Sequence, residues 1–153
     1  MPQITLVTGP SGIGKTTWVT RAAEEHPGPV NGVICPGVYQ NEVRIQINAQ
    51  LLRTGQTLPL AFAQNPQTYA IHTPKWGFNS ATIAAVNQEL DRPTGHGLLI
   101  IDELGPLEFH RNQGFVSAFR AIAQHPGPAV IVVRESLLTE ALQLWPEAKI
   151  ERL

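Results

Sequence analysis

The chain has 153 residues, of which 42% are hydrophobic, and a formal net charge of −1 at neutral pH. This length and apolar content suit one domain with its own core, so we expect residues 1–153 to form a single domain. The nearly neutral charge argues against binding of nucleic acid or an anionic membrane through a broad basic surface. A single cysteine, Cys35, excludes an internal disulfide.

The first residues, MPQITLVTG, lack the basic and apolar regions of a signal peptide, and no stretch reaches the length of a membrane span. We therefore expect a cytoplasmic protein without a membrane partner. The five histidines show no paired ligand spacing, so the pattern predicts no metal cage of the zinc type.

The first part of the sequence alternates between strand and helix patterns. β-Branched residues at 4–8 predict a buried strand, 15–25 has the apolar spacing of a helix, and 30–35 predicts a second strand. The helix stops at the sequence HPGP (26–29), because proline cannot continue it. The same HPGP sequence recurs at 125–128, where it predicts another turn from helix to strand.

The middle of the sequence, 38–74, has the pattern of an antiparallel insertion. Residues 42–50 alternate between polar and apolar side chains, as in a half-exposed strand, and 58–62 and 68–71 look extended. Asn79 or Ser80 is suited to cap a helix that runs to about Leu90.

The last part of the sequence returns to strand and helix in alternation. The apolar run in 97–103 is typical of a strand buried on both faces, and 115–124 and 129–133 predict a helix and a strand. Ser136 is expected to cap a last helix through Leu144, with an edge strand at 149–153. This order predicts an α/β fold of three layers, with a mainly parallel sheet and a small antiparallel insertion.

The sequence GPSGIGKT after the first strand fits the phosphate-loop pattern G-x-x-x-x-G-K-[ST] at every fixed position. Glycines let the backbone wrap around phosphates, lysine reaches the β- and γ-phosphates, and the threonine hydroxyl binds Mg²⁺. The pattern therefore predicts a P-loop NTPase fold and a nucleoside triphosphate ligand. The candidate phosphate-binding residues are Gly9, Pro10, Ser11, Gly12, Ile13, Gly14, Lys15 and Thr16.

Two carboxylates, Asp102 and Glu103, end the apolar strand. The carboxyl ends of parallel strands meet at the ligand crevice, so this pair is expected to face the phosphate loop. Asp102 is the candidate Mg²⁺ partner, and Glu103 is the candidate base that orients water. Arg134 ends the next apolar strand and could neutralise charge on the γ-phosphate, although an ion pair with Glu135 or Glu140 is an alternative.

Other groups leave their roles open. Arg44 could face the site or the solvent, and Tyr39 and the sequence KWGF (75–78) could cover a nucleotide or join the core.

Several stretches, in the same order, resemble the small P-loop nucleoside-triphosphatases, a family of thermophile type with a human member. Residues 9–17 match its loop G-x-x-G-x-G-K-T-T, and 99–108 (LIIDELGPLE) lie close to its signature I-I-D-E-[LI]-G-x-[LM]-E. Further similar stretches are 32–39, 51–61, 78–90 and 132–135. The sequence departs from the family at Arg44, which lacks the glycine of an R-x-G step.

The resemblance implies Mg²⁺-dependent hydrolysis of nucleoside triphosphates, such as ATP or GTP, to diphosphates with loose base selectivity. It implies that Thr17 belongs to the phosphate-binding loop and that Thr16 and Asp102 bind the metal. It also implies catalytic roles for Lys15, Glu103 and Arg134.

Two alternatives of a different class stay open. A small-molecule or nucleoside kinase would need an acceptor pocket, and a nucleotide-switched module would need a partner protein or RNA. No arginine-rich lid sequence follows the helices, which disfavours a nucleotide kinase, and no pattern in the sequence identifies a protein partner.

Overall fold

The computed structural model describes residues 3–153, so Met1 and Pro2 of the predicted domain lie outside the described residues. The strands of this range are β1 (Ile4–Thr8), β2 (Val30–Ile34), β3 (Gly37–Gln40), β4 (Val43–Leu51), β5 (Thr57–Phe62), β6 (Gly77–Phe78), β7 (Leu98–Leu104), β8 (Ala129–Val133) and β9 (Lys149–Arg152). Its α-helices are α1 (Lys15–Glu25), α2 (Ser80–Leu90), α3 (Pro106–His110), α4 (Ser117–Gln124) and α5 (Leu138–Leu144).

The strands form one sheet in the order β6-β5-β4-β2-β7-β8-β1-β9, and β3 pairs with β4. Strands β2, β7, β8, β1 and β9 are parallel. Strands β3 to β6 are joined by antiparallel pairing and attach to the parallel part through β4 and β2. The predicted mainly parallel sheet with an antiparallel insertion is confirmed.

Helices cover both faces of the sheet because neighbouring residues of a buried strand point to opposite sides. Val7 and Ile100 pack on one side with Val19 of α1. Leu6 and Ile101 pack on the other side, in a larger core that includes residues of α2, α4 and α5. The predicted three-layer arrangement is therefore confirmed.

Strand β8 separates β1 from β7 and is parallel to both. The loop after β1 and the acidic end of β7 consequently lie at the same edge of the sheet, with the end of β8 between them. The pairing of β7 with β8 shifts register between Ile101 and Leu104, and the peptide bond from Asp102 to Glu103 is cis.

The start of α2 agrees with the capping prediction. Oδ1 of Asn79 accepts hydrogen bonds from the backbone N–H groups of Ala81 and Thr82, at 3.0 and 3.3 Å. These bonds satisfy two of the donors that the first turn of a helix leaves without an intrahelical partner.

Two local predictions are wrong. Residues 68–71 are not extended, because Pro66–Thr68 form a turn of 3₁₀ helix that starts from Asn65 in the left-handed region (φ 51°). Ser136 does not cap the last helix. It lies within a second 3₁₀ turn, Glu135–Leu137, in which the Leu137 N–H donates to the Arg134 carbonyl at 2.9 Å, so α5 begins only at Leu138.

Among residues 3–153, no helix combines the length and the apolar character needed to span a bilayer.

Candidate nucleotide site

The phosphate loop connects β1 to α1 through backbone shapes that favour glycine. Gly9, Gly12 and Gly14 have φ values of 149°, 79° and 109°, where a Cβ atom is strained. Gly14 also precedes the first residue of α1, so the loop ends at a helix N-terminus. Backbone N–H groups at such an end attract anions, which is the arrangement expected of a phosphate site. Among the other predicted loop residues, the exposed ones are Pro10, Ser11, Ile13 and Thr17.

The Lys15 side chain folds back along the loop. Its Nζ donates to the carbonyl oxygens of Gly9 and Pro10, at 2.7 and 3.1 Å. The ammonium group therefore lies within the loop that is predicted to hold the phosphates, close to the backbone that would surround them.

Thr16 joins the phosphate loop to the acidic strand end. Its Oγ1 donates to Oδ2 of Asp102 at 2.9 Å, and the same oxygen accepts from the Cys35 N–H at 3.0 Å. This contact spans β8, since β1 and β7 are not neighbours in the sheet. The two side chains predicted to hold Mg²⁺ are thus brought into direct contact.

Asp102 is buried, with 3% of its surface exposed. Burial raises the pKa of its carboxyl group from 3.8 to about 7, and Glu103 adds to this rise, while hydrogen bonds from Cys35 and Thr16 and the charge of Lys15 lower it. Removal from water disfavours the charged form more than these partners favour it. A cation bound here would supply the missing compensation.

Glu103 and Arg134 meet at the ends of β7 and β8. Arg134 Nε lies 3.6 Å from Oε1 of Glu103, and 48% and 35% of the two side chains are exposed. The alternative partners of Arg134 are engaged elsewhere, because Glu135 pairs with Arg152 at 2.8 Å and Glu140 with His110 at 2.7 Å. The predicted base and the predicted arginine therefore lie together at the ligand edge.

The groups whose roles the sequence left open lie on the antiparallel insertion and its neighbouring loop. The Arg44 guanidinium lies 5.3 Å from the ring centre of Trp76, which is buried. A cation over an aromatic face is a stabilising contact, so Arg44 packs against Trp76 in the loop that follows the insertion. Tyr39 remains 61% exposed, on strand β3.

Glu108 is a further carboxylate of this region, and it is half-buried, which is not evident from the sequence. It lies on α3, directly after the acidic strand, and burial raises the pKa of its carboxyl group from 4.5 to about 7. The only sequence signal for it is its place in the stretch LIIDELGPLE, where it is the third carboxylate.

A family model described as NTPase matches residues 4–151. The chain belongs to this NTPase family. Family membership confirms the predicted enzyme class, a nucleoside-triphosphate-hydrolysing enzyme.

Curated relatives of the family share more than a quarter of their aligned residues with this chain. Nucleoside-triphosphatase THEP1 of Thermococcus kodakarensis is 29% identical over 143 residues, which cover 86% of this chain and 76% of the relative. The THEP1 protein of Pyrococcus abyssi is 28% identical over 137 residues, which cover 86% of this chain and 74% of the relative.

Two solved structures share the fold. The crystal structure of THEP1 from the hyperthermophile Aquifex aeolicus superimposes with a TM-score of 0.75 and 22% identity, covering 99% of this chain and 90% of that one. The solution structure of a human cancer-related nucleoside triphosphatase superimposes with a TM-score of 0.67 and 22% identity, covering 99% of this chain and 88% of that one. The predicted P-loop NTPase fold is confirmed.

Proposed function

We propose that residues 1–153 act as one domain that hydrolyses nucleoside triphosphates to diphosphates and phosphate in the presence of Mg²⁺, with broad base selectivity. The observation that carries the proposal is the hydrogen bond from Thr16 to Asp102, 2.9 Å long, which joins the phosphate loop to the acidic strand end across β8. Family membership supports the hydrolytic reaction.

The phosphate loop binds the substrate by its backbone. The N–H groups of the loop and of the first turn of α1 surround the β- and γ-phosphates, and Lys15 leaves its two loop carbonyls to pair with them. Because these contacts address phosphates rather than a base, they support turnover of several nucleoside triphosphates.

Thr16 and Asp102 suit Mg²⁺ because they offer a hydroxyl and a carboxylate oxygen, the hard ligands that this cation prefers. Mg²⁺ usually takes only one or two protein ligands and completes its shell with phosphate oxygens and water. When bound, the cation neutralises negative charge on the phosphates. Its charge also favours the ionised form of Asp102, whose pKa burial raises to about 7.

Glu103 accepts a proton from the attacking water or orients it toward the γ-phosphorus. Its side chain is 35% exposed, so water reaches it, and Arg134 Nε lies 3.6 Å away. Arg134 then stabilises negative charge on the transferring phosphoryl group, as an arginine supplied by the same chain.

The test is phosphate release from ATP, GTP, CTP and UTP with Mg²⁺, for the natural protein and for Glu103→Gln. We expect slow turnover of several nucleotides, and a fall of about 10²–10⁴ in kcat for Glu103→Gln, the range of general base catalysis. Nucleotide affinity should stay within a few-fold, because water activation matters mainly in the transition state.

A matched control is Glu140→Gln, which removes an exposed carboxylate that pairs with His110. It should leave turnover unchanged. Loss of nucleotide affinity in Glu103→Gln, equal to its loss of turnover, would contradict the assignment of the base. Tight nucleotide binding without phosphate release by the natural protein would instead point to a phosphoryl acceptor, as in a kinase, or to an activating partner.

A further inference from the structure

Glu108 bridges the two segments that follow the acidic strand. Its Oε1 accepts a hydrogen bond from the Gly105 N–H at 2.7 Å, and its Oε2 accepts one from the Phe115 N–H at 2.8 Å. Gly105 lies two residues after Glu103, and Phe115 precedes α4. One carboxylate thus ties the exit of β7 to the start of the next helix.

The packing around this carboxylate leaves little freedom. A Cβ atom on Gly114 would overlap Oε2 of Glu108 where this carboxylate now lies, and Gly114 has a φ of 76°. A glycine is therefore required where the chain passes Glu108, for space and for backbone shape. Both oxygens of the carboxylate are fixed by backbone donors, so the side chain has one position.

Asn87 of α2 holds the same segment from the other side. Its Nδ2 donates to the Gly114 carbonyl at 2.9 Å, and its Oδ1 accepts from the Ser117 N–H at 3.0 Å. We name Asn87, Gly114, Phe115, Glu108 and Gly105 the exit network. It forms an unbroken line of hydrogen bonds and peptide bonds from the core helix α2 to the end of β7.

Burial of a carboxylate is unfavourable, and two backbone hydrogen bonds only partly offset it. The pKa of Glu108 is raised to about 7 because burial outweighs the bonds from Gly105 and Phe115, and the nearby charge of Glu103 raises it further. A cap confined to the five-residue helix α3 would need only the reciprocal bonds between Gly105 and Glu108. The bond to Phe115, seven residues further along the chain, goes beyond capping.

We propose that Glu108 is a positioning residue for hydrolysis: through the exit network it fixes the backbone after β7, and thereby the orientation of Glu103 toward the attacking water. This inference rests on the proposed function, since it assumes that Glu103 activates water. The Glu108 carboxylate bonds to Gly105 and Phe115 and not to the phosphate loop or Arg134, so its action is indirect. A base displaced by about 1 Å loses on the order of 10²-fold in rate.

The experiment compares Glu108→Gln and Glu108→Ala with the natural protein in steady-state phosphate release at saturating Mg²⁺-ATP, well below the unfolding temperature. Glutamine keeps one acceptor and turns an amide toward the second N–H donor. We expect kcat to fall about 10-fold for Glu108→Gln and on the order of 100-fold for Glu108→Ala, while ATP affinity changes less than threefold.

A double-mutant cycle with Glu103→Gln distinguishes a positioning role of Glu108 from a purely structural one. If Glu108 acts through Glu103, its removal adds no further loss once Glu103 has been replaced. Thr94→Val is the matched structural control, because it removes a side-chain hydrogen bond to the buried His125. The other ring nitrogen of His125 is hydrogen-bonded to the carbonyl of Gly97, just before β7. Thr94→Val should lower the unfolding temperature and leave kcat unchanged.

Asn87→Ala is the milder variant if Glu108→Ala fails to fold, because alanine suits the helix and only the link to Gly114 and Ser117 is lost. It should lower kcat a few-fold with the same dependence on Glu103. The inference is overturned if the Glu108 variants keep the natural kcat, or if their losses multiply with that of Glu103→Gln. Failure of the proposed function itself would be distinct, since the natural protein would then release no phosphate.

Discussion

The two ends of the parallel strands use their polar groups in different ways. At the carboxyl ends, candidate site side chains from different elements contact one another: Thr16 bonds to Asp102, and Arg134 approaches Glu103 at 3.6 Å. At the amino ends, polar side chains hold neighbouring chain segments together, away from the candidate site. His125, which is buried, shares a 2.9 Å bond with the Gly97 carbonyl through Nε2.

The amino ends also show that the repeated sequence HPGP forms two turns that differ in the burial of their histidines. Both HPGP turns place a proline carbonyl beside β7: Pro29 accepts from the Leu98 N–H and Pro128 from the Leu99 N–H, each at 3.0 Å. The preceding backbone is nearly identical, with ψ of 128° at His26 and 126° at His125. Only the second histidine is buried, because the segment before β7 covers that turn.

The comparison shows that polar groups at the carboxyl ends favour ligand binding at the cost of stability, whereas polar groups at the amino ends favour stability. The carboxyl end holds a buried acid whose ionisation destabilises the folded protein but suits a cation, whereas the amino end uses its polar groups to hold strands together. Variants at the carboxyl end should therefore separate activity from stability, and variants at the amino end should change stability alone.

The largest effect is expected for Asp102→Asn. The folded protein holds this proton up to a pKa of about 7, whereas the unfolded chain releases it near 3.8. The free energy of unfolding of the natural protein, without nucleotide or Mg²⁺, should thus fall between pH 4 and 7 and then level off. Asparagine keeps both acceptor bonds and carries no charge, so at pH 8 it should stabilise the protein by up to about 4 kcal/mol.

The same variant should lose phosphate release by about 10²-fold or more, since a carboxylate that supports the cation is gone. Denaturant unfolding at pH 4 and pH 8, combined with phosphate release, checks both halves. If Asp102→Asn were less stable than the natural protein at pH 8, or equally active, the claim that the carboxyl ends favour ligand binding at the cost of stability would be wrong.

Gly127→Ala probes the amino end. A Cβ atom there would lie 2.6 Å from the Gly97 carbonyl oxygen and 3.2 Å from Nε2 of His125, between the two atoms that bond. Overpacking of this kind costs about 1–3 kcal/mol. Thermal unfolding should report that loss, while kcat per folded molecule stays at the natural value. A fall in kcat would show that the amino end is coupled to the site.

The smallest effect is expected for Gly28→Ala, the same substitution in the first HPGP turn. Its Cβ atom would come no closer than 3.4 Å to the half-exposed His26 ring. Its backbone is not in the left-handed region, so alanine restricts the unfolded chain and stabilises the protein by about 0.4–1 kcal/mol. Equal destabilisation by both alanines would mean that local sequence, and not burial, governs these turns.

The features predicted from sequence are those that depend on neighbours in the chain. The phosphate loop at 9–16, between a strand and a helix, follows from glycines, Lys15 and Thr16 in fixed order. The helix cap at Asn79 follows from its own side chain. The apolar run before Asp102 predicts a strand buried on both faces, which places its end at the ligand edge.

The features missed from sequence depend on contacts with distant segments. Glu108 is a charged residue between Leu107 and Phe109, and its partners, the N–H group of Phe115 and the backbone at Gly114, come from a later segment of the chain. Ser136 has the side chain of a helix cap, but the tight turn after Arg134 takes its place. The 3₁₀ turn at 66–68 depends on Asn65 adopting a positive φ, which no periodicity reveals.

The position of β1 between β8 and β9 has a consequence for how the protein is made on the ribosome. Strand β1 is synthesised before its partners, which are residues 129–132 and 149–152. The antiparallel strands β3 to β5 pair with near neighbours and form during synthesis, since local contacts form fastest. The phosphate loop is therefore among the first parts of the site to be translated and among the last to be fixed, so nascent chains that lack β8 and β9 should not yet bind nucleotide.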